Sequence, residues 1–170
     1  MADRDALIAY LNGEYLPRGE ARVPITDRGL LFGDSVYEVV PAYGGRPFRV
    51  GHHLQRLDRS LAAIRMDNPL SHAEWRQVFD RLTGQLPGQD QSIYLQVTRG
   101  AYPKRSHVIP AEVHPTVLAF ISPKPPRDAE KAQQGIRVIT LDDIRWHRCD
   151  IKATALLANV LARAQATEEG

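Results

Sequence analysis

The sequence predicts an α+β domain with a largely antiparallel sheet. Three observations point to this class: two hairpin-like pairs of strands come first, two amphipathic helical segments follow, and two further strand-like segments come after the helices. Strands and helices that form separate runs, instead of alternating, are typical of α+β folds. A composition of 43% hydrophobic and 25% charged residues over 170 residues excludes a disordered or fibrous chain.

Glycine-containing turns mark the two hairpins. Asn12-Gly13 and Gly44-Gly45 each separate two strand-like runs, and such dipeptides supply the positive φ angles that tight hairpin turns need. The residues between the hairpins, 24–33, are predicted to form a loop. The strands predicted on this basis cover residues 7–11, 14–16, 35–40 and 46–50.

Helical periodicity is present in two segments. Over residues 51–66, leucine and isoleucine recur at a spacing of three or four, which places them on one helix face. Ser71 and Glu74 have the spacing of a capping box, which predicts that a second helix begins there. Residues 92–98 alternate apolar and polar side chains and, together with residues 116–121, predict two further strands.

A proline-rich stretch divides the chain. Residues 122–134 begin with Ser-Pro-Lys-Pro-Pro-Arg, a stiff and extended composition that predicts a linker after an N-terminal domain of residues 1–121. Residues 135–141 have the composition of a strand, and residues 153–166 carry an apolar stripe at helical spacing. We therefore expect residues 135–170 to form the first strand and helix of a second domain.

Charge and composition argue against a nucleic-acid partner and against a membrane protein. Lys plus Arg total 22 against 20 for Asp plus Glu, so the net charge of +2 gives no electrostatic reason to expect a nucleic-acid partner. No apolar run approaches the roughly 18 residues that a membrane span requires. The mixed charges of residues 1–5 argue against a signal peptide, and a single cysteine, Cys149, is typical of a reducing compartment. We expect a cytoplasmic protein with no nucleic-acid and no membrane partner.

Lys152 is one of only four lysines and is the first candidate for covalent chemistry. It lies just before the apolar stripe at residues 153–166, and Asp150 is placed to act as the helix N-cap. The positive end of a helix dipole and partial burial both disfavour a charged amine, and a neutral amine is the form that attacks a carbonyl. The alternative is a solvated lysine at a helix start, because most lysines are exposed.

Further positions carry polar groups suited to binding anions. Arg56 lies at the edge of the first predicted helix, where its guanidinium is able to fork a phosphate. Arg105 and His107 are two residues apart in a loop and are able to converge on one carboxylate, and Tyr37 offers a phenolic donor from its strand. Each also has a structural explanation, namely a surface arginine, a polar turn and a half-buried strand tyrosine. The sequence carries no zinc-ligand spacing, glycine-rich phosphate loop or Ser-His-Asp pattern.

Taken together, four segments resemble the class IV, or fold-type IV, pyridoxal-phosphate aminotransferases. Within that family, the resemblance is greatest to the D-amino acid aminotransferases. The segments are DRGLLFGDSVYE at residues 27–38, HLQRL at 53–57, QVTRG at 96–100 with the Arg105 and His107 pair, and DIK at 150–152 followed by LLANVLA at 156–162.

The resemblance implies a role for each candidate residue. Lys152 is expected to bind the cofactor pyridoxal 5'-phosphate as a Schiff base, and Arg56 is expected to bind the cofactor phosphate. Tyr37, Arg105 and His107 are expected to bind the substrate carboxylate. The Arg105 and His107 pair is expected to reach across from the second subunit of a homodimer.

The implied reaction moves an amino group from a D-amino acid such as D-alanine to a 2-oxo acid such as 2-oxoglutarate. A branched-chain L-amino acid aminotransferase and an aminodeoxychorismate lyase are alternatives within the family. Family members continue into a second domain that is mostly missing from these 170 residues. An inactive fragment or an interaction module with the family's N-terminal fold is therefore a further alternative. The loop at residues 101–104 is one residue longer than the family pattern.

Overall fold

A six-stranded antiparallel sheet forms the centre of the protein. The strands are β1 (Ile8–Leu11), β2 (Glu14–Pro17), β3 (Ser35–Tyr43), β4 (Arg46–Pro47), β5 (Gln91–Thr98) and β6 (Thr116–Pro123). In the computed structural model, which describes residues 6–112 and 114–169, they follow the order β2-β1-β6-β5-β3-β4, and each neighbouring pair is antiparallel. The predicted α+β class is therefore confirmed. Residues 1–5, on which the expectation of no signal peptide rests, lie outside the described residues.

Both predicted hairpins are present. Asn12 and Gly13, with φ angles of 50° and 97°, connect β1 to β2, and Gly44 and Gly45, with φ angles of 54° and 80°, connect β3 to β4. Two successive residues with positive φ match the right-handed twist of the strands they join. Because β4 pairs only with the last two residues of β3, much of that edge of β3 is left free. This free edge positions the candidate site described below.

In the described residues, five α-helices accompany the sheet: α1 (Arg28–Phe32), α2 (Val50–Ala63), α3 (His72–Thr83), α4 (Ala129–Gln134) and α5 (Leu157–Glu168). The two helices predicted from periodicity are α2 and α3, and both halves of the Ser71–Glu74 capping box are formed at the start of α3. The short α1 lies where the sequence predicts a loop, because five residues are too few to show a helical period. Among the described helices, none combines the length and apolarity that crossing a membrane requires.

The hydrophobic core lies between the sheet and the two helices α2 and α3. Leu54 and Leu57 of α2 are completely buried, as is Trp75 of α3. Burying one large apolar side chain contributes about 1.5–3 kcal/mol, so this layer is a main source of folding free energy. The sheet contributes inward-facing residues from three adjacent strands, namely Val36, Val40, Ile93, Leu95, Val97, Val117, Ala119 and Ile121.

The segment after β6 departs from the prediction. The strand predicted over residues 135–141 is not formed: the short α4 comes first, and residues 135–144 then contain neither helix nor strand. Ile136 and Val138 are 77% and 78% exposed. A strand needs a partner for its backbone hydrogen bonds, and no strand within the described ranges pairs with this segment. The division of the chain at residues 122–134 stays a prediction.

The last helix also begins later than its apolar stripe predicts. That stripe predicts a helix over residues 153–166, whereas α5 begins at Leu157. Residues 152–154 are instead taken up by backbone hydrogen bonds to β3, and these leave no helical path through them. Leu157, Val160 and Leu161 of the stripe are exposed on α5.

Candidate active site

The backbone of Lys152 is attached to the free edge of β3. The Tyr37 amide donates to the Lys152 carbonyl at 3.1 Å, and the Thr154 amide donates to the Ser35 carbonyl at 3.2 Å. On the other side, the Lys152 amide donates to the Ser60 hydroxyl of α2 at 3.3 Å. Lys152 is therefore held between the sheet and α2. In sequence it is more than a hundred residues from its partner in β3 and about ninety residues from its partner in α2.

The predicted N-cap role of Asp150 is wrong. Both Asp150 carboxylate oxygens accept hydrogen bonds from Arg148, at 2.9 and 2.8 Å, and the following helix begins only at Leu157. Lys152 is thus not in the first turn of a helix. Its environment is set by an aromatic side chain and not by a helix dipole.

The Lys152 amine lies on the face of an aromatic ring. Its Nζ atom is 3.8 Å from the centroid of the Tyr37 ring, a distance typical of a cation–π contact. The Tyr37 ring stacks on Tyr94 at 5.7 Å, and Tyr94 stacks on Phe120 at 5.1 Å. Burial, and to a lesser extent Tyr37, raises the pKa of Tyr94. These rings come from neighbouring strands of the sheet and form a stiff platform beneath the amine.

Lys152 and Tyr37 line one cavity. Its volume is about 210 Å³, and its walls come from β3, the 151–156 segment, the loop before that segment and the first turn of α5. A half-buried lysine in a concave site, next to a phenol, is a typical setting for the reaction of an amine with a carbonyl group. The remaining lining residues are Arg145, Trp146, Cys149, Ile151, Ala153, Ala155, Leu156 and Asn159.

Arg56 is held by a buried carboxylate that the sequence analysis missed. Its Nε and Nη2 atoms donate to the two oxygens of Glu38 at 2.5 and 2.7 Å, and Nδ1 of His53 lies 2.8 Å from Glu38 Oε2. Glu38 is completely buried, and a buried carboxylate is tolerated only where it is paired. The hydrogen bonds that Arg56 donates to Glu38 raise the pKa of the Arg56 guanidinium. The available signal was a carboxylate in a strand that carries no other charged residue.

A strongly basic cleft adjoins Arg56. It has a volume of about 350 Å³ and is lined by Arg49, His52, His53, Gln55, Arg56 and Arg59. The Arg56 side chain is 46% exposed, so part of its guanidinium faces solvent while the rest binds Glu38. A concentration of guanidinium and imidazole groups is suited to a phosphate or carboxylate. Arg56 lines this cleft and not the Lys152 cavity.

Arg105 and His107 lie together on a loop that packs against α1. The guanidinium of Arg105 is 5.2 Å from the centroid of the Phe32 ring, and the His107 ring contacts the same ring edge-on at 5.0 Å. His107 lines a third cavity of about 370 Å³, together with Phe32 and Arg99. Neither residue lines the Lys152 cavity in this chain. The structure therefore brings Lys152 and Tyr37 together, and Arg105 and His107 together, as two separate pairs.

Comparison with known proteins defines the class. A family model described as amino-transferase class IV matches residues 35–170. Those residues include β3 with Tyr37 and Glu38, α2 with Arg56, the loop of Arg105 and the Lys152 segment. The chain belongs to the class IV aminotransferases.

Individual relatives show which class IV aminotransferases the chain is similar to. The chain is 40% identical over 160 residues to a D-alanine aminotransferase of Staphylococcus haemolyticus, covering 94% of this chain and 56% of that protein. It is 42% identical over 157 residues to a D-alanine aminotransferase of Bacillus licheniformis, covering 92% and 55%. A branched-chain amino acid aminotransferase of Escherichia coli has the same fold, with a TM-score of 0.84 and 23% identity over 97% of this chain and 57% of that one. The chain thus spans about half the length of the curated relatives it matches.

Proposed function

We propose that the whole protein is a transaminase that uses pyridoxal 5'-phosphate to move an amino group from a D-amino acid to a 2-oxo acid. D-alanine and 2-oxoglutarate are the expected pair, giving pyruvate and D-glutamate. The observation that carries the proposal is the Lys152 amine held on the Tyr37 ring inside a cavity, within a chain that is about 40% identical to D-alanine aminotransferases. The relatives are named D-alanine aminotransferases, and the proposal assigns that activity to the whole protein.

The residues present fit pyridoxal phosphate. An aldehyde needs an amine, which Lys152 offers in a concave site. A phosphate needs cations, which Arg56 and its basic neighbours offer in a separate cleft on α2. When bound, the cofactor supplies the electron sink that makes the hydrogen on the substrate Cα acidic. Lys152 would hold the cofactor, and Arg56 would hold its phosphate.

The chain's own residues then have three tasks. Lys152 Nζ would take the proton from the Cα of the D-amino acid in the first half of the reaction, and would deliver a proton to the C2 carbon of the 2-oxo acid in the second half. A free amine is a competent general base when it lies close to the proton it moves. The Tyr37 ring restricts where that amine lies, and its phenol donates to the substrate carboxylate. Arg105 and His107 of a second subunit complete the carboxylate site, which determines the face of Cα that meets the base. This arrangement requires a homodimer.

The direct test is covalent attachment of pyridoxal phosphate. The purified protein is mixed with pyridoxal phosphate, reduced with borohydride and digested, and we expect the added mass on the Lys152 peptide. Lys152→Ala should lose both this mass and the transfer of amino groups from D-alanine. Lys124→Ala is a matched control, because the Lys124 amine also lies on a tyrosine ring, 4.8 Å from the Tyr43 centroid. A Lys152→Ala protein that still transaminates D-alanine would contradict the proposal.

Two measurements distinguish the alternative functions: rates with different substrates, and the activity of the 170-residue chain compared with that of the whole protein. Rates with D-alanine, L-leucine and aminodeoxychorismate distinguish the D-specific transaminase from a branched-chain enzyme and from a lyase. Activity of the 170-residue chain beside that of the whole protein tests whether this part alone is an inactive fragment or interaction module. Sedimentation of the whole protein tests the homodimer, since a monomer with full activity would remove the role given to the second subunit.

A further inference from the structure

Two arginines and one aspartate form a nearly buried cluster behind the loop of Arg105 and His107. Asp34 accepts from Nε of Arg28 at 2.9 Å and from Nε and Nη2 of Arg99 at 2.8 and 3.0 Å. Both arginines are almost completely buried. Burial by itself raises the pKa of Asp34, but the hydrogen bonds from Arg99 and Arg28 outweigh it and hold that pKa below its usual range. The cluster therefore keeps its charges and fixes the Arg28 guanidinium.

The free end of Arg28 binds the loop backbone. Its Nη1 atom donates to the Ser106 carbonyl at 2.5 Å and to the Val108 carbonyl at 3.4 Å. These two carbonyls flank His107. From the same helix α1, the Phe32 ring contacts the His107 ring and lies beneath the Arg105 guanidinium. One helix turn thus contacts both side chains of the pair and the peptide groups around them.

The loop has few other attachments. Residues 103–105 and 107–109 are exposed. In the part of the chain that the structure describes, Arg28 is the only side chain from outside residues 103–109 shown to donate to their backbone. A loop whose backbone accepts hydrogen bonds from a single buried guanidinium depends on that contact for its shape, because exposed loop backbone is otherwise free to exchange conformations.

We infer that Arg28 is a positioning residue that sets the geometry of Arg105 and His107. The inference rests on the proposed function, in which this pair binds the substrate carboxylate. Arg28 does not contact the substrate in this assignment. It acts by holding the peptide groups on either side of His107, while Asp34 and Arg99 hold Arg28.

The experiment compares Arg28→Lys with Arg22→Lys in the whole protein loaded with pyridoxal phosphate. Lysine keeps the charge but cannot bind Asp34 and two carbonyls at once, because it lacks the planar fork. Arg22 also donates to two backbone carbonyls, those of Gly19 and Ala21 at 2.7 and 3.0 Å, but in a different and exposed loop. The readouts are trypsin cleavage after Lys104 and Arg105, the KM for D-alanine, and the affinity for pyridoxal phosphate.

We expect Arg28→Lys to speed cleavage in this loop by about tenfold, since cleavage follows local opening. The KM for D-alanine should rise by about fivefold with a smaller change in kcat, as expected when substrate binding is weakened. Affinity for pyridoxal phosphate should be unchanged, and Arg22→Lys should match the unmodified protein in all three readouts. A folded Arg28→Lys protein with unchanged cleavage and KM overturns the inference, as does a loss of cofactor affinity as large as the change in KM.

Two provisions keep the test decisive. If Arg28→Lys does not fold, Asp34→Asn replaces it, because this change removes the carboxylate charge that holds the Arg28 guanidinium and nearly keeps the side-chain volume. A raised KM with unchanged cofactor affinity in that variant supports the inference, and an unchanged KM overturns it. If the unmodified protein does not transaminate D-alanine, the proposed function fails, and the cleavage readout still reports separately whether Arg28 holds the loop.

Discussion

The amine of Lys152 lies 3.8 Å from the centroid of the Tyr37 ring, and the same two residues share a backbone hydrogen bond from the Tyr37 amide to the Lys152 carbonyl. Lys152 and Tyr37 are therefore fixed relative to each other both through their side chains and through their backbones. This double attachment places a lysine on the free edge of β3 without any helix dipole. It also makes Tyr37 the residue whose replacement most directly tests the site.

Tyr37→Phe and Tyr37→Ala should separate the two functions of this residue. Phenylalanine keeps the ring beneath Lys152, so attachment of pyridoxal phosphate should be retained while the KM for D-alanine rises through loss of the phenol. Alanine also removes the ring that positions the Lys152 amine, so cofactor affinity should fall as well. Fluorescence titration with pyridoxal phosphate and steady-state rates measure both effects. Equal cofactor affinity in the two variants would show that the ring does not position the amine.

Glu38 and Arg56 should show strong coupling in unfolding experiments. Among the described residues, Arg56→Met leaves the buried Glu38 carboxylate with His53 as its one remaining partner. The same change in a Glu38→Gln background leaves no buried charge to satisfy. We expect a coupling energy of about 1–2 kcal/mol, at the lower part of the range for charged hydrogen bonds because Arg56 is half exposed. A double-mutant cycle in urea measures it, and additive effects would contradict it.

The exposed pair Asp143 and Arg145 is the matched control for that cycle. Its carboxylate and guanidinium are also within hydrogen-bond distance, 2.7 Å between Arg145 Nη2 and Asp143 Oδ2. The hydrogen bonds from Arg145 lower the pKa of Asp143 to about 2. Solvent nevertheless screens exposed pairs, so we expect no measurable coupling between Asp143→Asn and Arg145→Met.

Replacement of the two tryptophans should have very different effects on stability. Trp75 is completely buried, and its Nε1 atom donates to Asn68 Oδ1 at 2.9 Å. Trp75→Ala should lower the free energy of unfolding by about 3–5 kcal/mol, because it leaves a cavity in the core. Trp146 is 50% exposed, and Trp146→Ala should change stability by less than about 0.5 kcal/mol. Thermal unfolding followed by circular dichroism measures both, and similar melting temperatures would contradict the assigned core.

Asp34 should make part of the stability depend on acid pH. Its pKa in the folded protein is lowered, chiefly because the Arg99 and Arg28 hydrogen bonds outweigh burial. A carboxyl with a lowered folded pKa contributes stability above its unfolded pKa of about 3.9, and this contribution is lost as the pH falls through the folded value. The protein should therefore lose more stability than Asp34→Asn when urea unfolding at about pH 6 is compared with unfolding at about pH 3. Parallel losses in both proteins would contradict this prediction.

The sequence predicted an element correctly wherever a signal between residues close in the chain agreed with the tertiary structure. The Asn12-Gly13 turn, the leucine spacing of α2 and the Ser71–Glu74 capping box each depend on residues within one or two turns of each other. The helix α1 was missed because it is too short to show a period. The strand predicted over residues 135–141 was wrong because a strand-like composition gives a strand only where a partner is available.

By itself, the sequence determined the fold class, the main elements before residue 122 and the membership of the segments around Tyr37, Arg56 and Lys152 in one family. Only the tertiary structure decided what surrounds those residues. It placed Lys152 on Tyr37 and gave Arg56 the buried carboxylate of Glu38. Such contacts join residues far apart in the chain, and their energies depend on burial and on exact partners, neither of which a local pattern of residue types contains.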